Sequence, residues 1–261
     1  MYITKEQKNH FYVNGFVVIE NLIDIKLIEL LSNQCDLIGN NKIDHVPITS
    51  TQLEPIAKNE LIDKSLRLRK LYDIAVYDDI FWKHVVNKKI VSIISELLIT
   101  KDIKLYGDQL FMKPPKIGSE IYWHQDSASW KDIFPHDLIT AWTAIDESKE
   151  SNGCLQFIPG THRFGILGND SESRIDKMKR FKQFIDSNIW PIIKIPMKPG
   201  SVSFHHSLII HSSAQNKSKD RRRGYAAHYM RSKSWKDQSV LDAPKMPSFR
   251  QVIGKSFKNC V

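Results

Sequence analysis

The chain has 261 residues, of which 41% are hydrophobic and 10% aromatic, and this composition excludes a disordered protein and favours one domain with an ample core. Its net charge of +9 raises the question of a nucleic-acid partner, but the basic residues are spread along the chain without a recognition-helix pattern or zinc-finger spacing. No apolar run approaches the roughly 20 residues that span a bilayer, and the charged N-terminus lacks a signal-peptide core. We therefore expect a cytoplasmic protein with no membrane contact and, because its cysteines show no paired spacing, no disulfides.

The first part of the chain, to about residue 100, is predicted to be mainly helical. Thr4 and Asp24 are the residue types that begin helices, and Gly15 and Gly39 are typical of helix ends. Four helices are predicted, covering residues 4–14, 24–39, 61–75 and 79–98. A short β-type run follows the first helix at 16–20. The polar segment 40–60, with two prolines, is predicted as a loop over the surface or over a cleft.

From residue 103 the pattern changes to short β-type runs. Seven runs are predicted, at 103–112, 120–125, 138–145, 154–158, 192–197, 201–210 and 222–229. Many short strands separated by Pro and Gly turns favour a sandwich or jelly roll. The charged segment 165–190 is predicted as an insertion with its own short helix. We expect a single domain with a helical part (about 1–100), a β core (about 101–235) and a tail (about 236–261).

The stretch Trp123-His124-Gln125-Asp126 carries the first sign of chemistry. In an extended strand, residues two apart point to the same face, so His124 and Asp126 can aim at one point while Gln125 faces away. An imidazole from a neighbouring strand would complete a set of two histidines and one carboxylate, which suits Fe(II) and leaves positions open for reactants. Three histidines compete for this place: His205, His206 and His211. Strand alternation puts His205 and His211 on one face.

Three sequence motifs, taken together, are more specific than the short His-x-Asp pattern alone. They are W-H-Q-D at 123–126, N-G-C-L-x-x-x-P-G-T-H at 152–162, and H-x-S-x-x-N at 211–216. Trp142 lies 18 residues after His124, and Arg222 lies 11 residues beyond His211. From roughly Tyr12 to Met230 the chain resembles the phytanoyl-CoA dioxygenase family of Fe(II)- and 2-oxoglutarate-dependent oxygenases.

This resemblance implies a fold and a metal site. The fold is mainly β with flanking helices (α+β): a double-stranded β-helix, which is a jelly-roll or cupin-like core, with the N-terminal helices packed on it. The catalytic metal ligands implied are His124, Asp126 and His211, with His205 and His206 as packed or supporting residues. Related halogenases lack the carboxylate, so Asp126 favours oxygenation.

Arg222 is the candidate for binding the distal carboxylate of the co-substrate 2-oxoglutarate, because a guanidinium presents a planar fork of donors and stays charged when buried. Alternation then places Gly224, Ala226 and His228 on the same inward face, and Arg221 and Arg223 on a solvated edge. The resemblance adds further co-substrate contacts, namely Ser213, Trp142, Gln109 and Lys70. An alternative for Lys70 is an exposed lysine on a helix.

The sequence therefore predicts a hydroxylase that oxidises a C–H bond of a small organic substrate and releases succinate and CO2. An acyl thioester, an amino-acid derivative or a natural-product intermediate would fit the family, and the basic charge is compatible with an anionic one. The alternatives are a catalytically silent binding or scaffold protein, and an oxygenase acting on nucleic acid or protein. The turns at 152–154 and 159–162, including His162, are predicted to be structural. The segments 40–60 and 165–190 are predicted to cover the site mouth.

Overall fold

The computed structural model describes residues 2–58, 63, 66–167, 181–186, 189–239 and 249–261. The helices are α1 (Lys5–Asn14), α2 (Ile25–Gly39), α3 (Ile74–Tyr77), α4 (Asp79–Val85), α5 (Lys88–Leu98) and α6 (Asp126–Ser129). The side chain of Thr4 accepts from the backbone of Gln7 in a capping box, and Asp24 accepts from the backbone of Lys26. The predicted starts of the first two helices are thus confirmed. None of the described helices combines the length and apolar character needed to cross a bilayer.

Antiparallel strands make up the rest of the framework. They are β1 (Phe16–Ile19), β2 (Thr51–Leu53), β3 (Leu68–Tyr72), β4 (Ile103–Phe111), β5 (Ile121–His124), β6 (Ile133–Phe134), β7 (Ile139–Ala144), β8 (Leu155–Phe157), β9 (Ile193–Ile195), β10 (Val202–His206), β11 (His211–Ser213), β12 (Gly224–Arg231), β13 (Trp235–Lys236) and β14 (Gln251–Ile253). The larger sheet has the order β1-β10-β7-β12-β4-β3-β2, with β14 also paired to β4. The smaller sheet has the order β5-β11-β8-β9, and β13 pairs with β6.

Strand β12, near the middle of the larger sheet, shows how its two faces are used. Its side chains alternate, so Tyr225 and Tyr229 join the main apolar core with helix residues such as Phe81. The Tyr229 hydroxyl donates to the Val85 carbonyl of α4 at 2.8 Å. Ala226 and His228 face the opposite way and line a cavity between the two sheets. The predicted jelly-roll core with helices packed on it is confirmed.

The predicted helix at 61–75 is wrong within the described residues. Residues 68–72 form β3, which pairs with β4 through Lys70 and Phe111, and only α3 after it is helical. The segment predicted as a loop at 40–60 contains β2, which pairs with β3. These two short strands depend on the edge that β4 offers, so their local sequence does not reveal them. The remainder of the predicted helix, at 61–62 and 64–65, lies outside the described residues.

Other predicted boundaries also change. The helix predicted at 79–98 is two helices, because Asn87 interrupts it and caps α5. The run predicted at 201–210 ends at His206, and His211 begins a strand of the other sheet. The predicted tail contributes β14. In the predicted insertion, residues 181–185 are helical, and residues 168–180 and 187–188 lie outside the described part.

Candidate active site

Three side chains from separate elements converge at the edge of the cavity. His124 ends β5 and lies opposite His211, the first residue of β11, while Asp126 opens α6. The Nε2 atoms of His124 and His211 lie 3.5 Å and 3.6 Å from Oδ1 of Asp126. One ligand atom from each residue lies within 4.8 Å of the others, so this group could hold a metal ion.

The backbone fixes which imidazole nitrogen faces this point. Nδ1 of His124 lies 2.7 Å from the carbonyl oxygen of Tyr122, and Nδ1 of His211 lies 3.0 Å from that of Ile209. A carbonyl oxygen only accepts, so each Nδ1 carries the proton and each Nε2 of a neutral ring presents a lone pair. Burial lowers the pKa of His211 to about 4, so that ring is neutral at pH 7. Both rings are therefore prepared for metal ligation.

Asp126 lies on the same side as His124, as the alternation predicted, and its neighbours orient its carboxylate. The strand ends at His124, and the extended backbone of Gln125 (φ −117°, ψ 132°) carries the alternation one residue further. Gln125 does face away, since its amide donates to the carbonyls of Gly165 and Leu208. Thr140 donates to Oδ2 of Asp126 at 2.9 Å, which leaves Oδ1 towards the histidines. Burial acts to raise the pKa of Asp126, but His211 and His124 outweigh it and hold that pKa well below its usual range.

The competing histidines occupy two different environments. His205 lines the cavity, with Nε2 3.8 Å from Oδ2 of Asp126. It shares the cavity with His211 from the opposite sheet, so the alternation argument that grouped them along one strand is wrong. His206 points the other way, and its ring packs 5.3 Å from that of His162. Its Nδ1 accepts from the backbone of Leu208.

Arg222 is a buried cation whose charge no described residue neutralises. Its side chain is 1% exposed, donates to the Gly153 carbonyl at 2.9 Å, and lies 5.3 Å from the ring of Trp142. Burial lowers its pKa to about 10, so it remains charged at neutral pH. In the described part of the chain no carboxylate forms an ion pair with it. Because an unpaired buried charge is costly, the position calls for an anionic ligand.

The two arginines beside Arg222 face away from the cavity, but one prediction about them is wrong. Arg221 is paired with Asp36 at 2.7 Å. Arg223 was expected on a solvated edge, yet it is 5% exposed and forms a two-pronged pair with Asp146. The pairing compensates the burial of its charge.

The cavity between the sheets has a volume of about 490 Å³. Its lining includes the four further residues predicted as co-substrate contacts, Lys70, Gln109, Trp142 and Ser213. Nζ of Lys70 lies over the rings of Tyr72 and Phe111, at 4.9 Å and 5.7 Å, and Lys70 belongs to a strand instead of a helix. Thr49 and Ser50 also line the cavity, so the segment 40–60 reaches the cleft.

Sequence reasoning missed the supporting side chains. Thr140 is a polar residue inside an apolar run, which is a weak signal for an inward-facing role. Lys113 is 3% exposed and donates to Oγ of Ser213 at 2.9 Å and to the Ala214 carbonyl. Burial, followed by the nearby Arg222, lowers the pKa of Lys113 to about 6. No local pattern predicts that a lysine before two prolines is buried.

The predicted structural turns are confirmed. Gly153 has φ +84°, and a Cβ there would lie 2.1 Å from the Ala214 carbonyl oxygen. Gly160 has φ +78°, a conformation that glycine adopts without strain. Nε2 of His162 lies 3.1 Å from the carbonyl of Tyr12, so this histidine ties the turn to α1.

Comparisons with known proteins identify the family to which the chain is similar. A family model described as phytanoyl-CoA dioxygenase (PhyH) matches residues 11–224. The human protein "Phytanoyl-CoA dioxygenase, peroxisomal" is 28% identical over 233 residues, covering 87% of this chain and 68% of that protein. A Caenorhabditis elegans homolog of "Phytanoyl-CoA dioxygenase domain-containing protein 1" is 31% identical over 192 residues, covering 69% of this chain and 65% of that protein.

Solved structures share the fold at low sequence identity. EctD from S. alaskensis, solved with 2-oxoglutarate and 5-hydroxyectoine, matches with a TM-score of 0.79 and 18% identity, over 98% of this chain and 85% of that one. SnoK, described as a non-heme alpha ketoglutarate dependent carbocyclase from nogalamycin biosynthesis, matches with a TM-score of 0.74 and 16% identity, over 95% and 96% of the two chains.

Proposed function

The chain belongs to the phytanoyl-CoA dioxygenase family, and from that membership we propose that it is a non-haem Fe(II)- and 2-oxoglutarate-dependent dioxygenase that hydroxylates a C–H bond of a small organic substrate. The observation that carries the proposal is the meeting of two imidazoles and one carboxylate in a cavity that also holds an unneutralised guanidinium. Bound iron would supply the oxidising chemistry, coupled to conversion of 2-oxoglutarate to succinate and CO2.

In this proposal His124, Asp126 and His211 hold the iron. Two neutral nitrogens and one hard oxygen on one side of the ion are a donor set that suits Fe(II) and leaves positions for reactants. The carbonyls of Tyr122 and Ile209 orient the rings. The bond from Thr140 occupies the second oxygen of Asp126, which favours ligation through Oδ1 alone.

Arg222 would bind the distal carboxylate of 2-oxoglutarate. Its fork of donors has one bond, to Gly153, and its Nε has no hydrogen-bond partner within the described part of the chain. Trp142 packs beside it, and the Ser213 hydroxyl lies 2.9 Å from Nζ of Lys113. Ser213 is proposed as a hydroxyl contact to the co-substrate because it lines the same cavity. We propose Gln109 and Lys70 as additional polar contacts because both line the same cavity.

The substrate is proposed to be a small molecule. The cavity lining offers both an amine, on Lys70, and a carboxylate, on Asp73. The net charge of +9 favours an anionic substrate during approach. A cytoplasmic location is part of the proposal, and microscopy of the tagged full chain would test it.

The experiment is a comparison of succinate formation and of binding in four proteins: wild type, His124→Ala, Arg222→Ala and the matched control Arg221→Ala. We expect wild type and Arg221→Ala to form succinate from 2-oxoglutarate with Fe(II), His124→Ala to lose this activity, and Arg222→Ala to need far more 2-oxoglutarate. Without oxygen, wild type should develop the visible absorption band of chelated 2-oxoglutarate. Equal turnover in all four proteins would contradict the assignment, and binding without turnover would favour the silent scaffold.

A further inference from the structure

His228 is a cavity residue to which neither the metal site nor the co-substrate site gives a role. It lies on β12, is 4% exposed, and lines the cavity. Its ring lies 4.6 Å from that of Trp130. Its Nδ1 lies 2.8 Å from Oγ1 of Thr140, the same hydroxyl that contacts Asp126.

The shared hydroxyl decides which nitrogen of His228 carries the proton. The ionised carboxylate of Asp126 only accepts hydrogen bonds. Thr140 must therefore donate its single hydroxyl proton to Oδ2 of Asp126. The contact between Thr140 and His228 is therefore one in which Nδ1–H donates and the hydroxyl accepts. Burial keeps the ring neutral at pH 7 by lowering its pKa to about 4. Nε2 of His228 is then unprotonated and presents a lone pair.

This lone pair is buried and, among the described residues, has no hydrogen-bond partner. A buried acceptor left unpaired costs about 1–3 kcal/mol, so a ligand that supplies a donor gains by pairing with it. The co-substrate does not supply one, because the carboxylates and ketone of 2-oxoglutarate only accept at neutral pH. Nε2 is thus suited to the other molecule that must enter the cavity.

We infer that Nε2 of His228 accepts a hydrogen bond from an O–H or N–H group of the substrate, and that this enzyme acts on molecules carrying such a donor close to the carbon that is oxidised. Calling this molecule the substrate rests on the proposed function. The carboxylate of Asp73 lines the same cavity and is a second acceptor. The Trp130 ring beside His228 offers an apolar wall for the carbon skeleton. His228 is accordingly a substrate-positioning and specificity residue.

The test reads the two ring nitrogens directly by long-range ¹H–¹⁵N NMR. The protein is labelled with ¹⁵N-histidine and loaded with Zn(II), a diamagnetic replacement for iron, and with 2-oxoglutarate. His228→Phe assigns the signals of His228. We expect Nδ1 of His228 to be protonated and Nε2 to be unprotonated. A protonated Nε2 would overturn the inference.

Three probes with one carbon skeleton then examine recognition: 1-butanol, butylammonium chloride and sodium butyrate. We expect 1-butanol or butylammonium to shift the Nε2 signal upfield, and butyrate, which has no donor at neutral pH, to leave it unchanged. The two donor probes separate a hydroxyl from an ammonium ligand. The His206 signals, from outside the cavity, should not move. An equal response to butyrate, or no response to either donor, would overturn the inference and assign Nε2 to solvent.

Thr140 supplies matched variants for the proton argument. Thr140→Val removes the hydroxyl at nearly constant volume and should release His228 into a mixture of the two tautomers, whereas Thr140→Ser should keep the bare Nε2. An unchanged tautomer in Thr140→Val would contradict the argument.

The NMR result does not depend on turnover. A protonated Nε2 in a protein that makes succinate refutes only this inference, and a responsive Nε2 in a protein that makes none refutes only the proposed function.

Discussion

At the residue scale, the site depends on hydrogen bonds that leave particular atoms without a partner. Backbone carbonyls accept hydrogen bonds from Nδ1–H of His124 and of His211. Thr140 donates a hydrogen bond to one carboxylate oxygen of Asp126. Each of these bonds directs the remaining donor or acceptor into the cavity, which lowers the cost of organising the site when ligands bind.

Substituting Arg222→Lys tests the need for a planar fork of donors. Lysine keeps the charge but offers a single point of contact, so we expect the dissociation constant of 2-oxoglutarate to rise by about tenfold or more, equivalent to about 1.4 kcal/mol. Anaerobic titration with Fe(II), followed by the visible absorption band, measures this constant. Arg221→Lys is the control and should bind as wild type does. Unchanged affinity in Arg222→Lys would show that the fork is not used.

Lys113→Met tests the cost of a buried amine. The pKa of Lys113 falls from 10.5 to about 6 on folding. Between these pH values the unfolded chain binds the extra proton, so the stability of the wild type rises with pH, by at most about 1.4 kcal/mol per unit. Methionine removes this dependence, and the free energy of unfolding of the variant relative to wild type should therefore decrease as pH rises from 6.5 to 8.5.

Urea unfolding of the metal-free proteins at several pH values measures this difference. Lys116 follows the two prolines after Lys113 and is exposed. Lys116→Met is therefore the matched control, and its difference in unfolding free energy from wild type should not change with pH. A difference between Lys113→Met and wild type that stays constant with pH would mean that Lys113 keeps its proton in the folded protein.

At the scale of elements, β12 connects the helical core to the cavity. One face of this strand packs under the helices and the other lines the site, so a distortion of the strand affects both. Its first residue, Gly224, is in close contact with the indole of Trp142: a Cβ there would lie 2.0 Å from Cζ2. The absence of a side chain at 224 is what allows Trp142 to lie against the strand.

Gly224→Ala is therefore expected to destabilise the protein by about 1–3 kcal/mol, the usual cost of overpacking a buried contact. It should also move Trp142 relative to Arg222 and weaken 2-oxoglutarate binding. The free energy of unfolding in urea and the anaerobic titration measure the two effects. A variant with wild-type stability and affinity would show that the indole relaxes at no cost.

At the scale of the whole molecule, several histidines are buried in a neutral form. Burial lowers the pKa of His84 to about 4 and that of His206 to about 3, from an ordinary value of 6.5. Below pH 6.5 the unfolded chain binds protons that the folded chain does not. Stability is therefore complete above pH 6.5 and declines as pH falls towards these lower values, with each histidine contributing up to about 1.4 kcal/mol per unit.

Thermal or urea unfolding of the metal-free protein between pH 7 and 5 should show this decline. His84→Gln, whose replacement does not titrate in this range, should reduce the slope of the unfolding free energy against pH by up to about one proton, the full effect being reached near pH 5. A stability that is constant over the interval would contradict the burial of neutral imidazoles.

Over the whole chain, local sequence determined the features that depend on neighbouring residues. Thr4 and Asp24 mark helix starts because their side chains cap nearby amides, and Gly153 and Gly160 mark turns because they tolerate positive φ. Alternating short runs indicated a jelly roll, and the motif around His124 led to the family. Each of these inferences needs only sequence spacing and intrinsic conformational preference.

Tertiary structure decided what depends on distant partners. Strands β2 and β3 form because β4 offers an edge, and the break between His206 and His211 exists because the chain crosses from one sheet to the other. The burial of Lys113 and the proton on Nδ1 of His228 are likewise set by residues far along the chain. Hydrogen-bond partners and burial are properties of the folded surroundings, so no local pattern specifies them.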